Sequence, residues 1–285
     1  MPRKKKILPR AVLSGGDIKL LHYLWKWKVG TSLAISQLFY PLKKLRRGYE
    51  RLRTLEQAAF IKSHREIKGE KFIWTLATKG FLTIQHELPD LKQAGFLPLS
   101  PGHDLLSAAV LQAGDVDDSV TLLTDQELLR ANTPHSYLSD SLHRADGYWV
   151  SENFLVALEV QISSQKTKDY RHVARFYSEL PDLRAVLWVL SKITMAKAIF
   201  TGLSEAKGKG TQKHQFIGFD SFFENGWDAE IEAGSMAGTK IKDLLKSNSS
   251  QTFQKAILDT RKSPHTAKSP LYYQPGDLWV LEKMK

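Results

Sequence analysis

Three observations predict a two-domain mixed α/β chain, α+β overall. The basic residues crowd into the first third of the sequence, that same third reads as three helices followed by a hairpin, and the remainder alternates apolar strand-like runs with amphipathic helices. The 285 residues are enough for two modest cores, which is the better expectation at this length. Residues 1–86 hold 19 Lys and Arg against 5 Asp and Glu, a net of +14, whereas the whole chain carries only +11. The rest is therefore slightly acidic. Such polarisation predicts an N-terminal module that meets a polyanion, joined to a body with another job.

Composition narrows the classes. No apolar run is long enough to cross a bilayer, so no membrane role is expected. The start, "MPRKKKILPR", is basic, but no apolar stretch of signal-peptide type follows it. It reads either as an arm that touches phosphates or as a solvated tail. Cysteine is absent, which excludes disulfides and thiolate metal sites and fits a cytoplasmic setting.

The first domain is expected over residues 1–88. "GDIKLLHYLWKWKVG" places Ile18, Leu21, Leu24 and Trp25 at helical spacing on one face, with Asp17 as N-cap and Gly30 as stop. "TSLAISQLF" follows as a short second helix. "PLKKLRRGYERLRTLEQAAFI" sets Leu42, Leu45, Leu52, Leu55 and Ala59 on one stripe, and Lys43, Lys44, Arg46, Arg47, Arg51 and Arg53 outside it. "IKSHREIKGEKFIWTLATKGFLTI" then gives two β-rich runs around Lys68-Gly69, the pattern of a hairpin wing that also carries Lys71. Three helices and a hairpin in this order are a winged helix-turn-helix, whose third helix enters the major groove while the wing lies on flanking backbone. Double-stranded DNA is the expected partner, through those basic side chains. The competing reading is a solvated basic helix in a fold that contacts protein.

"HELPDLKQAGFLPLSPGHD" is punctuated by Pro and Gly and marks a boundary near 88–100, so the second domain is expected over 100–244. "HDLLSAAVLQAG" reads as a helix, and "SVTLLTDQELLRAN" as a strand running into a helical turn. "ADGYWV" and "FLVALEVQI" are strands joined by the polar turn "SEN". Alternation sends Phe154, Val156, Leu158, Val160 and Ile162 to one face of the second strand, and Leu155, Ala157, Glu159 and Gln161 to the other. Asp146 stands at the mouth of the preceding strand, where pairing would bring it towards Glu159. "KTKDYRHVARFYSEL" is an amphipathic helix with Tyr170, Val173, Ala174, Tyr177 and Leu180 inward, and "LRAVLWVLS" a strand apolar enough for the centre of a sheet. "MAKAIFTGLSEAK" and "HQFIGFD" extend the sheet by a helix and a strand, and residues 245–285 read as a partly mobile basic tail. "GKGTQKH" lacks P-loop spacing.

The order helix, strand, Asp-Gly strand, Glu-x-Gln strand, helix, strand resembles the PD-(D/E)xK nuclease superfamily. The chain from about residue 10 to 195 is also similar to the replication-relaxation family of plasmids and mobile elements. The resemblance implies a PD-(D/E)xK-like mixed-sheet domain in which Asp146 and Glu159 hold Mg²⁺, Gln161 occupies the usual Lys position and aligns water, and Lys166 or Lys168 steadies the scissile phosphate. Asp104 or Glu127 could add a third acid, and His103 a base. Ala-Asp-Gly replaces Pro-Asp-Gly, and the neutral Gln161 cannot supply positive charge to a phosphorane. Two functions follow. One is a DNA-binding accessory or regulatory protein of a mobile element, acting with other replication or transfer proteins and carrying a degenerate nuclease-like domain. The other is a Mg²⁺-dependent DNA endonuclease or nickase. The glutamine favours the first, and the oligomeric state is left open.

Overall fold

The computed structural model describes residues 11–40, 45–64, 73–88, 100–112, 120–129, 136–138, 143–152, 154–163, 167–180, 182–205 and 211–245. These residues form a mixed α/β structure with eight α-helices and nine strands among them. They fall into two compact units that divide between Leu105 and Leu106, each with its own apolar core.

The first unit runs α1 (Gly15–Trp27), β1 (Val29–Thr31), α2 (Ser32–Phe39), α3 (Leu45–Gln57), β2 (Ile61–His64), β3 (Ile73–Leu76) and α4 (Thr78–Ile84). Its sheet has the order β1-β3-β2, antiparallel throughout. The helix α1 begins three residues earlier than expected. Ser14 is the N-cap, and Asp17 is its capping-box partner: the Asp17 N–H donates to Ser14 Oγ while the Ser14 N–H donates to Asp17 Oδ2. Gly30 is not the stop either. Lys28, at φ 64°, ends α1, and the chain passes directly into β1, a strand too short to leave a periodic trace.

In α3 the buried stripe is Gly48, Leu52 and Leu55, whereas Leu45 is exposed. Gly48 replaces the expected leucine contact for a steric reason. A Cβ there would lie 2.4 Å from Ser36 Oγ, so α2 packs against α3 at a residue that lacks one. Ala59, at φ 63°, turns the chain out of α3 towards β2. The run after β3 is helical, as α4, and does not continue the β structure.

The second sheet is built from β4 (Thr121–Thr124), β5 (Gly147–Val150), β6 (Leu155–Gln161), β7 (Leu183–Leu190), β8 (His214–Gly218) and β9 (Ala233–Gly234). Its spatial order is the chain order. The β4-β5-β6 pairs and the β8-β9 pair are antiparallel, and the β6-β7-β8 pairs are parallel. α5 (Pro101–Gln112) spans the divide between the units, and the helices wholly within the second are α6 (Thr167–Glu179), α7 (Met195–Glu205) and α8 (Phe219–Asn225); α8 and β9 were not expected. α6 is the crossover that makes β7 parallel to β6. All seven residues of β6 are buried, and Leu155 and Ala157 pack with Tyr170, Val173, Ala174 and Tyr177 of α6. The face of β6 that carries Glu159 is therefore the face covered by α6. No helix among the described residues is long and apolar enough to cross a membrane.

Candidate functional site

The carboxylates expected to form a site are placed by the β5-β6 ladder. Gly147 pairs with Leu158, so continuing the register by one residue sets Asp146 opposite Glu159. Asp146 is fastened on both sides of that position: its N–H donates to Leu158 O at 3.1 Å, and its Oδ2 accepts from the Val160 N–H at 2.7 Å. Glu159 points from the sheet towards α6 and is 9% exposed.

A carboxylate buried that deeply needs donors, and two converge on one oxygen. The Tyr177 hydroxyl donates to Glu159 Oε1, and His143 Nε2 stands 2.7 Å from the same atom. An imidazole nitrogen at that distance from a carboxylate already accepting a hydroxyl carries the proton, so Nε2–H is the donor. His143 Nε2 also lies 3.3 Å from the Tyr177 oxygen, and the His143 ring packs edge-on against Phe176 and Tyr177. Burial raises the Tyr177 pKa well above that of a free phenol, and the negative charge of Glu159 adds to it, with smaller contributions from Tyr148 and Asp146. That hydroxyl stays a donor.

Behind Tyr177 lies His214, 1% exposed, with ring centroids 5.9 Å apart. His214 Nδ1 accepts from Trp188 Nε1 at 3.0 Å, which requires a neutral ring. Burial, assisted by Lys213, brings its pKa down to about 4. Glu159 is thus met by a protonated phenol, and the neutral His214 ring packs against the far side of that phenol.

The remaining expected site residues do not join this cluster. Gln161 is buried beside Glu159 on the same face, but its amide donates to Ser163 O, within its own turn. Lys166 lies outside the described residues, as does the side chain of Lys168. Asp104 takes an ion pair from Lys28 at 3.2 Å, with His103 Nδ1 at 3.8 Å. Glu127 accepts the Thr124 N–H at 3.0 Å and closes a local turn. Asp146 and Glu159 are the hard oxygen donors that Mg²⁺ takes. Each, however, has an oxygen committed to a protein donor, and among the described residues no group of three His, Cys, Asp or Glu could hold a metal. A divalent ion at this pair would meet no third such ligand among the described residues and would have to complete its shell with water.

The expected DNA-contacting side chains separate into two kinds. On α3, Arg46 has 89% of its side chain exposed and donates to Glu50 at 2.9 Å, one helical turn away. Arg47 is also exposed. Arg51 and Arg53, expected outside, are turned back on the fold. Arg51 donates to Asp17 through Nε at 3.0 Å and Nη2 at 2.6 Å, and to Val12 O at 2.7 Å. Arg53 donates to Glu56 at 2.8 Å and to the Tyr49 hydroxyl, and lies over the rings of Tyr49 and Trp74. Both flank the buried stripe at Leu52, so their stems reach core and their heads reach acids. Asp17 is fully buried; desolvation pushes its pKa up, but hydrogen bonds from Arg51, Ser14 and Tyr40 outweigh it and hold it at about 2. Lys43, Lys44, Lys68 and Lys71 lie outside the described residues.

His143 and Tyr177 were missed as site residues. The signals were present: an acid amid "LVALEVQI" demands donors, and helical spacing already turned Tyr177 inward. Compared with family models, with curated proteins and with solved structures, the chain shows no match.

Proposed function

We propose that this chain is a duplex-DNA-binding accessory protein of a mobile element, whose second unit is a PD-(D/E)xK-like domain that no longer cuts. The setting rests on the resemblance to the replication-relaxation family. The observation that carries the DNA reading is the exposed Arg46–Arg47 edge of α3, in a segment whose net charge is +14 over residues 1–86. The order α1-β1-α2-α3-β2-β3 with sheet order β1-β3-β2 supports a winged helix-turn-helix, which presents its third helix to the major groove. The order α5-β4-β5-β6-α6-β7 and the Asp146–Glu159 register support the nuclease-like assignment. Silence of the site is inferred from Glu159, whose charge is met by Tyr177 and His143, and from Gln161, which is neutral and bonded to its own turn.

Two measurements test this. In gel shifts of the full chain at rising salt, Arg46→Ala with Arg47→Ala weakens duplex binding and reduces the slope of log K against log salt by about 2. Unchanged affinity and slope would overturn the α3 interface. Supercoiled plasmid with Mg²⁺ or Mn²⁺ should stay intact. Metal-dependent nicking by the wild-type chain that disappears in Glu159→Gln would overturn the silent-domain reading and establish an endonuclease.

A further inference from the structure

Glu50 is out of place on a phosphate-binding surface. It sits mid-helix on α3, with 58% of its side chain exposed, in a strongly basic segment. Helical spacing puts it one turn from Arg46 and three residues from Arg47, so the three side chains form one contiguous exposed patch. Its ion pair with Arg46 is an open-solvent i,i+4 contact of a kind that contributes little to stability. Against the sugar-phosphate backbone a carboxylate is repelled, and it lowers general affinity for any duplex. Two major-groove groups donate to an acid, cytosine N4 and adenine N6, and of these only adenine sets an acceptor, N7, beside its donor, so an acid is better matched by cytosine. The guanine opposite presents O6 and N7, which an arginine takes with two parallel N–H groups.

We propose that Arg46, Arg47 and Glu50 form a base-reading patch for G·C pairs, with Glu50 selecting cytosine at one position and an arginine selecting guanine beside it. This rests on the duplex-binding reading and adds which bases the helix reads. In the free protein the Arg46 guanidinium is held along the helix by Glu50 Oε1. On a matching step both partners exchange each other for base edges. Where guanine or thymine stands in place of that cytosine, Glu50 keeps Arg46 and faces acceptors, which rejects the site.

The experiment is selection from a randomised duplex library by the full-length wild type, Glu50→Gln and Glu50→Ala, with circular dichroism melts to confirm that each folds. The wild type should enrich a site containing a G·C step. Glutamine pairs with adenine N6 and N7, so Glu50→Gln should change one position from C to A. Glu50→Ala should lose preference there, by about tenfold or more, while binding random duplex more tightly. Identical enriched sites in wild type and Glu50→Gln would overturn the base-reading patch and leave duplex binding standing. Failure of the wild type to retain any duplex at low salt would overturn the duplex-binding reading, and this inference with it.

Discussion

Replacing Arg51 by Ala tests whether that side chain is a lock inside the fold or a contact for DNA. Arg51 supplies two of the hydrogen bonds to Asp17, at 2.6 and 3.0 Å, and ties α3 to the start of α1. Asp17 is held at about 2, below its ordinary 3.8, which favours the ionised form in the fold by roughly 2–3 kcal/mol. Removing the guanidinium leaves a buried carboxylate held by Ser14 and Tyr40 alone. Breaking a buried pair from one side costs about 3–5 kcal/mol. The lower end applies, because Arg51 is 24% exposed and three donors remain, the Ser14 N–H and hydroxyl and the Tyr40 hydroxyl. About 3 kcal/mol corresponds to a loss of about a hundredfold in the protection of α1 and α3 amides, measured by hydrogen exchange at neutral pH.

The pH dependence gives a second signature. Asp17 has a lowered folded pKa, so its contribution is present above 3.8 and is lost as pH falls towards about 2. In Arg51→Ala the folded pKa climbs and that acid-linked loss shrinks. Unchanged amide protection, together with duplex affinity falling as far as in the Arg46→Ala, Arg47→Ala double variant, would refute the lock and return Arg51 to the DNA surface.

Three further outcomes are expected. His214 is neutral in the fold with a pKa of about 4 against 6.5 free, so stability should fall by about 3 kcal/mol as pH drops from 6.5 through 4; thermal melts across pH should show it, and His214→Gln should flatten it. Tyr177→Phe removes a donor from the buried Glu159 carboxylate and should lower stability by about 2 kcal/mol in urea titration. Gly80→Ala would set a Cβ 2.1 Å from the Phe60 carbonyl oxygen, a backbone atom that cannot swing aside; the first unit should lose about 2 kcal/mol, read by the same titration.

The strands and helices of the second unit were largely legible because their signals are local. Alternation along "FLVALEVQI" and the inward face of "KTKDYRHVARFY" depend only on side chains near in sequence, and both are observed. The register that sets Asp146 opposite Glu159 follows from the short turn between their strands. What could not be read is long-range or marginal. Whether Arg51 points to water or to Asp17 depends on a helix 34 positions earlier in the chain. The position beside a buried stripe serves either use, since a long stem with a charged head suits both. Similarly, Glu159 advertised a need for donors, but nothing in its own strand names His143 or Tyr177. The strand β1 and the true end of α1 were hidden by Lys28, a non-glycine residue at positive φ.

Each strand of the larger sheet lies beside the one made just before it. A chain leaving the ribosome therefore never waits for a distant segment: every new strand finds its neighbour already translated. Growth can proceed edge by edge, with loop-closure entropy met in small instalments. Shortened chains that stop after β7 should retain a folded β4–β7 nucleus, and stalled synthesis would expose an edge that the finished sheet covers, the side of β7 that receives β8.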